Sequence, residues 1–203
     1  VIVPFTFNSR DHVLSRTYIY RFATFPRDFC KSKPKTLLLD SYISKDKERI
    51  IPKSYTYLLP MSEFNRCHIV PEPDFTKIKQ VIYWMNGEHN FASFVSIGKD
   101  LSVKIFEEMG KKRKDLTEDE QKILLQDYTT RIVELKLRPS HSGWNSPNLK
   151  FWEIEVKSSS FMYNQVRRMV GAILSAGVGD VSVEEVKDLI DNGMIGKWNT
   201  NIK

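Results

Sequence analysis

Residues 8–18 contain side chains that could hold a nucleic acid beside a predicted strand. Arg10, Arg16 and Tyr18 are the informative members of this segment. Arginine side chains can hold phosphates or a carboxylate, and a tyrosine ring can stack on an unpaired base. On residue types alone the structural interpretation is favoured, in which Tyr18 packs in a core and the arginines are surface charges. His12 is better explained as a surface histidine than as a general base.

A second candidate lies in residues 158–171, where Arg167 and Arg168 are adjacent in a predicted, largely apolar helix. Adjacent helical residues point about 100° apart, so the two arginines cannot share one direction. We expect one of them near the buried edge of the apolar stripe, with a carboxylate or phosphate partner, because an unpaired buried charge is costly. A purely structural ion pair between helix and sheet explains the pattern equally well.

The remaining sequence excludes several classes of protein. Its 203 residues are 41% hydrophobic and 28% charged, which is typical of one globular domain. No apolar run approaches the roughly 18 residues of a transmembrane helix. The two cysteines, Cys30 and Cys67, have no zinc-ligand spacing and are typical of a reducing, intracellular setting. The net charge of +6 permits a polyanionic partner without requiring one.

Hydrophobic periodicity predicts the elements that would position these residues. Alternating segments predict strands, whereas apolar stripes with capping signals predict helices. The predicted strands are 17–23, 129–138 and 150–157, and the predicted helices are 74–86, 161–176 and a short one after Ser182 and Glu185. Gly177 and Gly179 are expected to end the second helix. This mix predicts an α+β fold with a mainly antiparallel sheet and helices packed on one side.

Three segments lie between these elements. Residues 31–56 are polar and interrupted by proline, which predicts a loop or insertion. Residues 87–94 are expected to form a turn with two aromatic residues. Residues 99–122 form a charged insertion in which Thr117 and Glu120 have capping-box spacing.

Three motifs resemble one known family. Residues 161–171, continuing to Gly179, resemble the F-x-x-x-x-V-R-x-(I/M)-V-G…G-x-G signature of the TruA family of tRNA pseudouridine synthases. Residues 7–20 are similar to its F-(H/N)-(A/S)-R…(A/S)-(R/K)-x-Y-x-Y segment, and residues 87–94 to its G-x-H-(D/N)-F-x-(S/A)-F. The motifs follow the family's order over nearly the whole chain. The sequence around residues 15–20 and 149–168 resembles that of animal members of the family, some of which are mitochondrial.

The resemblance implies a reaction and roles for particular residues. Family members convert uridine in tRNA to pseudouridine without a cofactor, through an aspartate that attacks a flipped-out nucleotide. Tyr18 matches the active-site tyrosine, and Arg167 matches the arginine that pairs with the aspartate. Arg10 and Arg16 match basic positions near the active site, and Arg168 is an expected RNA contact. The resemblance further implies tRNA or another structured RNA as partner, and members of the family are often dimers. No metal site and no membrane contact are expected, because the sequence has neither a metal-ligand cluster nor a long apolar run.

One departure from the family is decisive for this chain. The R-T-D-x-G-V-H-A motif that carries the aspartate is absent, and Asp11, Asp28 and Asp40 lie in other contexts. The family's closing G-L-x-L is also absent. We therefore expect residues 1–203 to be part of a catalytic domain that is inactive alone. The resemblance to animal members of the family implies a mitochondrial or cytoplasmic/nuclear protein, with mitochondrial location favoured. The alternatives are a non-catalytic RNA-binding or assembly protein with this fold, or an α+β interaction domain without an RNA role.

Overall fold

The computed structural model describes residues 8, 13–25, 41–43, 50–52, 67–95, 110, 117, 120, 129–140 and 149–193. Arg10 and most of the charged insertion therefore lie outside the described residues. The strands are β1 (Arg16–Phe25), β2 (Ser41–Ile43), β3 (Ile50–Pro52), β4 (Cys67–Pro71), β5 (Gly87–Asn90), β6 (Thr130–Pro139) and β7 (Lys150–Ser158). The α-helices are α1 (Phe75–Met85), α2 (Gln165–Val178) and α3 (Val183–Asp191), and a 3₁₀ turn covers Ala92–Phe94.

Five strands form one mixed sheet in the order β4-β1-β7-β6-β5. Strands β1 and β4 pair in parallel, and the other three pairings are antiparallel. The α+β prediction with a mainly antiparallel sheet is thus confirmed. Strands β2 and β3 form a separate two-stranded sheet. Residues 31–56, predicted as a loop or insertion, contain these two short strands, because local periodicity does not detect backbone pairing between two such segments.

The core lies between one face of the sheet and the three helices of the described residues. Strand residues alternate between two faces, so every second residue of β1, β6 and β7 points toward the helices. Fully buried members of this core include Phe22, Ile78, Met85, Val133, Ile154, Met169 and Ile173. Burying each large apolar side chain contributes about 1.5–3 kcal/mol. The helices therefore pack on one side of the sheet, as the periodicity predicted.

The opposite face carries paired charges. Glu153 accepts hydrogen bonds from Arg21 Nε at 3.0 Å, Arg138 Nε at 3.0 Å and Ser140 Oγ at 2.7 Å. Burial by itself would raise the pKa of Glu153, but these hydrogen bonds outweigh it and hold the pKa below its ordinary value. Both arginines of this network therefore have a carboxylate partner.

Helix α1 follows its prediction closely, but the segment after it does not. The Asp74 side chain accepts from the backbone N–H groups of Thr76 and Lys77, and Gly87 follows the helix with a φ of 104°. Residues 87–94, predicted as a turn, instead form β5 and the 3₁₀ turn. Strand β5 forms because it pairs with β6, and the local sequence does not predict this pairing.

Helix α2 begins and ends later than its sequence predicts. It starts at Gln165, four residues after the predicted start, and continues through Gly177 to Val178. Gly177 permits a close approach of two helices, since a Cβ there would lie 2.6 Å from Cγ1 of buried Ile78. Its carbonyl also accepts from the Asp74 N–H at 2.8 Å. Gly177 therefore serves packing inside the helix, and Gly179 supplies the left-handed cap.

Both predicted capping boxes are present. Ser182 Oγ accepts from the Glu185 N–H at 3.0 Å, and Glu185 accepts in return from the Ser182 N–H at 2.8 Å. Thr117 and Glu120 exchange the same pair of hydrogen bonds. Among the described residues, no helix is long and apolar enough to cross a membrane.

Candidate active site

Tyr18 lies near the start of β1, on the face of the sheet that carries the helices. It pairs in register with Val156 of β7. Its ring meets the ring of Phe161 edge to face, with 5.3 Å between the centroids. The side chain is nevertheless 49% exposed. Tyr18 is thus held by an aromatic neighbour while part of its ring stays open to solvent, as a stacking surface requires.

The segment between β7 and α2 places Phe161 against Tyr18. The Gln165 side-chain oxygen accepts from the Met162 N–H at 3.0 Å, and the Gln165 N–H donates to the Met162 carbonyl at 3.1 Å. Asn164, with a φ of 61°, reverses the chain direction just before the helix. Arg131 of β6 donates to Ser160 Oγ at 3.0 Å. The segment is therefore fixed by polar contacts at both ends.

Arg167 lies in the first turn of α2 and is exposed. It is close enough to Tyr20 of β1 for its charge to affect the pKa of that tyrosine. Burial raises the pKa of Tyr20 above its ordinary value of 10.0, and the Arg167 guanidinium lowers it in part. Tyr18 lies two residues from Tyr20 on the same strand face, a spacing of about 7 Å. The structure therefore brings Tyr18 and Arg167, which are far apart in the sequence, to one end of the sheet.

The surroundings of Arg167 favour an anion. Within the described residues, no carboxylate forms an ion pair with Arg167. The N-terminal end of a helix carries a partial positive charge, and the first turn of α2 contains no acidic residue. Asn164 makes no side-chain capping hydrogen bond there. A carboxylate or phosphate beside Arg167 would therefore be stabilised by both the guanidinium and the helix.

Arg168 points in another direction and has a different environment. It is half-buried, and its guanidinium donates to the Val95 carbonyl just after the 3₁₀ turn. Burial lowers its pKa. Arg168 is thus the arginine at the buried edge that the helical geometry required, and a backbone carbonyl is one of its partners. Its contact with RNA stays a prediction.

The other predicted basic positions are placed only in part. Arg16 begins β1, opposite Ser158 in the register with β7, and is half-buried. Its position one strand-face step from Tyr18 is compatible with contact to a bound RNA backbone. Arg10 lies outside the described residues. No group of three or more metal-ligating side chains occurs among the described residues.

Two neighbours of the site were not singled out from the sequence. Tyr20 could have been found from its alternation with Tyr18, which places both side chains on one face of β1. Phe161 belongs to the matched motif, but its edge-to-face contact with Tyr18 joins two distant segments. No local signal predicts such a contact, because it depends on the path of the chain between β7 and α2.

A profile of the tRNA pseudouridine synthase family matches residues 82–197. The match covers more than half of the chain, so the chain belongs to this family. The family resemblance read from the sequence is thereby confirmed.

Individual relatives agree with the profile. The tRNA pseudouridine synthase-like 1 of Xenopus laevis is 26% identical over 191 residues, which cover 92% of this chain and 47% of that protein. The tRNA pseudouridine synthase-like 1 of Homo sapiens is 25% identical over 206 residues, or 98% and 52% of the two chains. The tRNA pseudouridine synthase A of Oenococcus oeni is 24% identical over 188 residues, or 93% and 51%. The chain spans about half the length of these curated relatives.

Proposed function

We propose that the intact protein containing this chain isomerises uridine to pseudouridine in tRNA, using Tyr18 and Arg167 of this chain. The observation that carries the proposal is the convergence of these two residues at one end of the sheet, with Tyr18 half exposed and Arg167 in a setting that favours an anion. Family membership supports the reaction class. The nucleophilic aspartate comes from a part of the protein outside this chain.

Arg167 is proposed to hold the aspartate in its reactive form. An opposite charge in contact with a carboxyl group favours the ionised form and lowers its pKa. The guanidinium fork can also fix the carboxylate in one orientation through two parallel hydrogen bonds. Arg167 is exposed and has no carboxylate partner among the described residues, so both functions are open to it.

Tyr18 is proposed to support the target nucleotide after it leaves the base stack. Extruding a nucleotide costs a few kcal/mol. Stacking a base on an aromatic side chain returns about 1–3 kcal/mol. Phe161 packs against the Tyr18 ring and holds its orientation. The Tyr18 side chain therefore loses little conformational entropy when the base binds.

The chemistry balances without a cofactor. The aspartate attacks the nucleotide and the bond between the sugar and uracil N1 breaks. The uracil then turns and forms a new bond from C5 to the sugar, while the bond between the aspartate and the nucleotide breaks and restores the carboxylate. The hydrogen at C5 leaves as a proton, and N1 takes up a proton. Arg10, Arg16 and Arg168 are proposed to hold the RNA backbone.

Tritium release tests the proposal, because tritium at uridine C5 is lost only if that carbon forms the new bond. We would compare the full-length parent, the parent with its motif aspartate changed to Asn, and this chain alone, on several tRNAs. Release by the unaltered parent only is the expected result. Parent protein that leaves every uridine unchanged would contradict the proposal and favour the non-catalytic RNA-binding alternative.

Tyr18→Ala in the parent refines the test. We expect turnover to fall about tenfold to a hundredfold, with a smaller loss of tRNA affinity, because the ring supports the flipped base rather than the whole tRNA. Tyr83→Ala is the matched control, since Tyr83 is 78% exposed on α1. Equal losses of turnover and affinity in Tyr18→Ala would count against the assigned role.

Salt dependence separates the RNA-binding readings from a plain interaction domain. Phosphate contacts release counterions, so tRNA affinity should fall steeply as salt rises. Affinity that is absent, or independent of salt, would favour an interaction domain without an RNA role.

Mitochondrial location and homodimerisation stay predictions. Imaging of the tagged parent would check the location, and its measured mass in solution would check the homodimer.

A further inference from the structure

Tyr163 is an exposed aromatic residue in a turn whose other members build the proposed site. Its side chain is 68% exposed, whereas Met162 on one side is 9% exposed and Gln165 is fully buried. A single exposed aromatic residue on a protein surface is ordinary. The turn that contains Tyr163 is unusual in three respects, and these indicate that the exposed ring is placed to contact a ligand.

First, hydrogen bonds hold the turn on both sides of Tyr163. The Gln165 side chain accepts from the Met162 N–H, the Gln165 N–H donates to the Met162 carbonyl, and the Arg168 N–H donates to the Asn164 carbonyl at 3.0 Å. Tyr163 is therefore held between two anchored residues. A side chain on a fixed backbone loses less conformational freedom when it binds a ligand, so the turn is organised for contact in advance.

Second, the turn is maintained at a cost. Asn164 is the one non-glycine residue with positive φ within the described part of the chain, at 61°. The Gln165 side-chain nitrogen is buried, and no described group accepts its hydrogens. A buried donor without a partner destabilises the fold. Costs of this kind cluster at functional sites, where the surrounding structure enforces them.

Third, the turn adjoins the residues proposed to act on the nucleotide. Phe161, two residues before Tyr163, contacts the Tyr18 ring, and Arg167 follows four residues later. Two residues of extended chain span at most about 7 Å. The Cα atom of Tyr163 therefore lies at most about this far from that of Phe161, which contacts Tyr18, and the first turn of α2 next to it carries Arg167.

We propose that Tyr163 is a second base-contacting aromatic residue, which stacks on an unpaired nucleotide next to the target uridine in the tRNA. The proposal rests on the proposed function and extends it to sequence or structural context: a stacking position beside the target favours RNA in which the neighbouring base is free to leave its stack. Tyr163 contacts substrate and takes no part in proton transfer or covalent chemistry.

The test measures tRNA binding and single-turnover rate of the full-length parent with Tyr163→Ala, Tyr163→Gln and Tyr163→Phe. We expect Ala and Gln to weaken binding of tRNA about tenfold, consistent with the loss of one base–aromatic stack. Phe should stay within about twofold of the unaltered protein, because it keeps the aromatic face. Tyr83→Ala is the matched control and should have no effect. Binding by Tyr163→Ala and Tyr163→Gln equal to that of the control would overturn the proposal.

Abasic substitution of each nucleotide flanking the target identifies the stacked base. One such substitution should weaken binding to the unaltered protein about tenfold and have little further effect on Tyr163→Ala, since the two changes remove the same contact. Full additivity at every flanking position would contradict the proposal. Binding is the readout, so the result stands even if the parent releases no tritium, and failure of the two proposals is distinguishable.

Discussion

The N-termini of α2 and α3 are built in opposite ways. Helix α3 begins with Ser182 in an extended conformation, a complete capping box, and Glu184 and Glu185 in its first turn. Helix α2 begins with Asn164 in a left-handed conformation, without a side-chain cap and with Arg167 in the first turn. Acidic residues are stabilising at the positive end of a helix, and cationic residues are not. Helix α3 therefore starts in the way that favours its own stability.

The difference indicates that the start of α2 is suited to binding an anion. A cation beside the positive end of a helix raises the local potential, which is unfavourable until an anion arrives. On the far face of the sheet, by contrast, Arg21 and Arg138 already share Glu153. The described residues thus include two arginines that share a carboxylate and one, Arg167, that is exposed and forms no ion pair with a described carboxylate. Four predictions test this distinction.

The largest effect is expected from Arg167→Ala in the parent. Removing one preorganised electrostatic group from an active site typically costs a factor of about 100–1,000 in rate. Turnover should become undetectable or fall by this factor, because the aspartate loses the charge that keeps it ionised and oriented. Arg167→Lys should restore part of the rate, since it keeps the charge without the planar fork. The measurement is single-turnover tritium release.

Stability provides the control for Arg167. The change to Ala should leave thermal unfolding of the parent nearly unaltered or slightly improved where the aspartate has also been changed to Asn, because a cation has then been removed from the positive end of a helix. Wild-type turnover in Arg167→Ala would refute the assigned role. A large loss of stability in the same double variant would identify Arg167 as a structural residue.

Ser182→Ala should destabilise the protein by about 1 kcal/mol through loss of the capping hydrogen bond at α3. Ser182→Asn is the matched control and should be tolerated, because Asn caps helices equally well. Turnover should be unchanged in both, since α3 contributes no residue to the proposed site. Denaturant unfolding at equilibrium measures the difference. A loss of activity without a loss of stability would contradict the comparison.

Asn164→Ser makes the opposite exchange at α2 and should cost about 0.5–1 kcal/mol, because serine gains no cap in the left-handed conformation and tolerates it less well than asparagine. Asn164→Gly should cost less, because glycine adopts positive φ freely. The same unfolding measurement applies. If serine were to stabilise the protein at this position, the start of α2 would be an ordinary cap and the contrast with α3 would fail.

The smallest effect is a shift in the titration of Tyr20. Burial raises the pKa of Tyr20 above 10.0, and Arg167 opposes this increase. The pKa should therefore rise further in Arg167→Ala. Because the folded state holds this proton more tightly, the associated stability is fully present below pH 10 and is lost as the pH rises above it. Absorbance titration, with Tyr20→Phe identifying the signal, measures the shift; equal pKa values in both proteins would place Arg167 away from Tyr20.

Much of the fold followed from local patterns. The alternation in residues 129–138 and 150–157 predicted β6 and β7, since a half-buried strand repeats every two residues. The Asp74 cap and the Ser182–Glu185 capping box predicted the starts of α1 and α3. These signals are reliable because they arise between residues at most a few positions apart.

Other features depended on contacts between distant segments. Strand β5 and the two-stranded sheet formed where local signals predicted a turn and a loop. Apolar periodicity placed the start of α2 too early, because the Gln165 side chain and the conformation of Asn164 fix residues 161–164 in a turn. Gly177 remained inside α2 because the approach of Ile78 requires a residue without a Cβ.

The sequence by itself determined the family, the α+β class and the identity of Tyr18 and Arg167 as candidates, because motifs and periodicity are written in neighbouring residues. Only the tertiary structure decided that β1 and α2 bring these two residues to one end of the sheet. It also decided that the Arg168 guanidinium donates to the Val95 carbonyl while Arg167 stays exposed, and that Tyr163 is exposed in a hydrogen-bonded turn. Exposure and long-range contact are properties of packing, in which each residue's surroundings are supplied by segments far away in the chain.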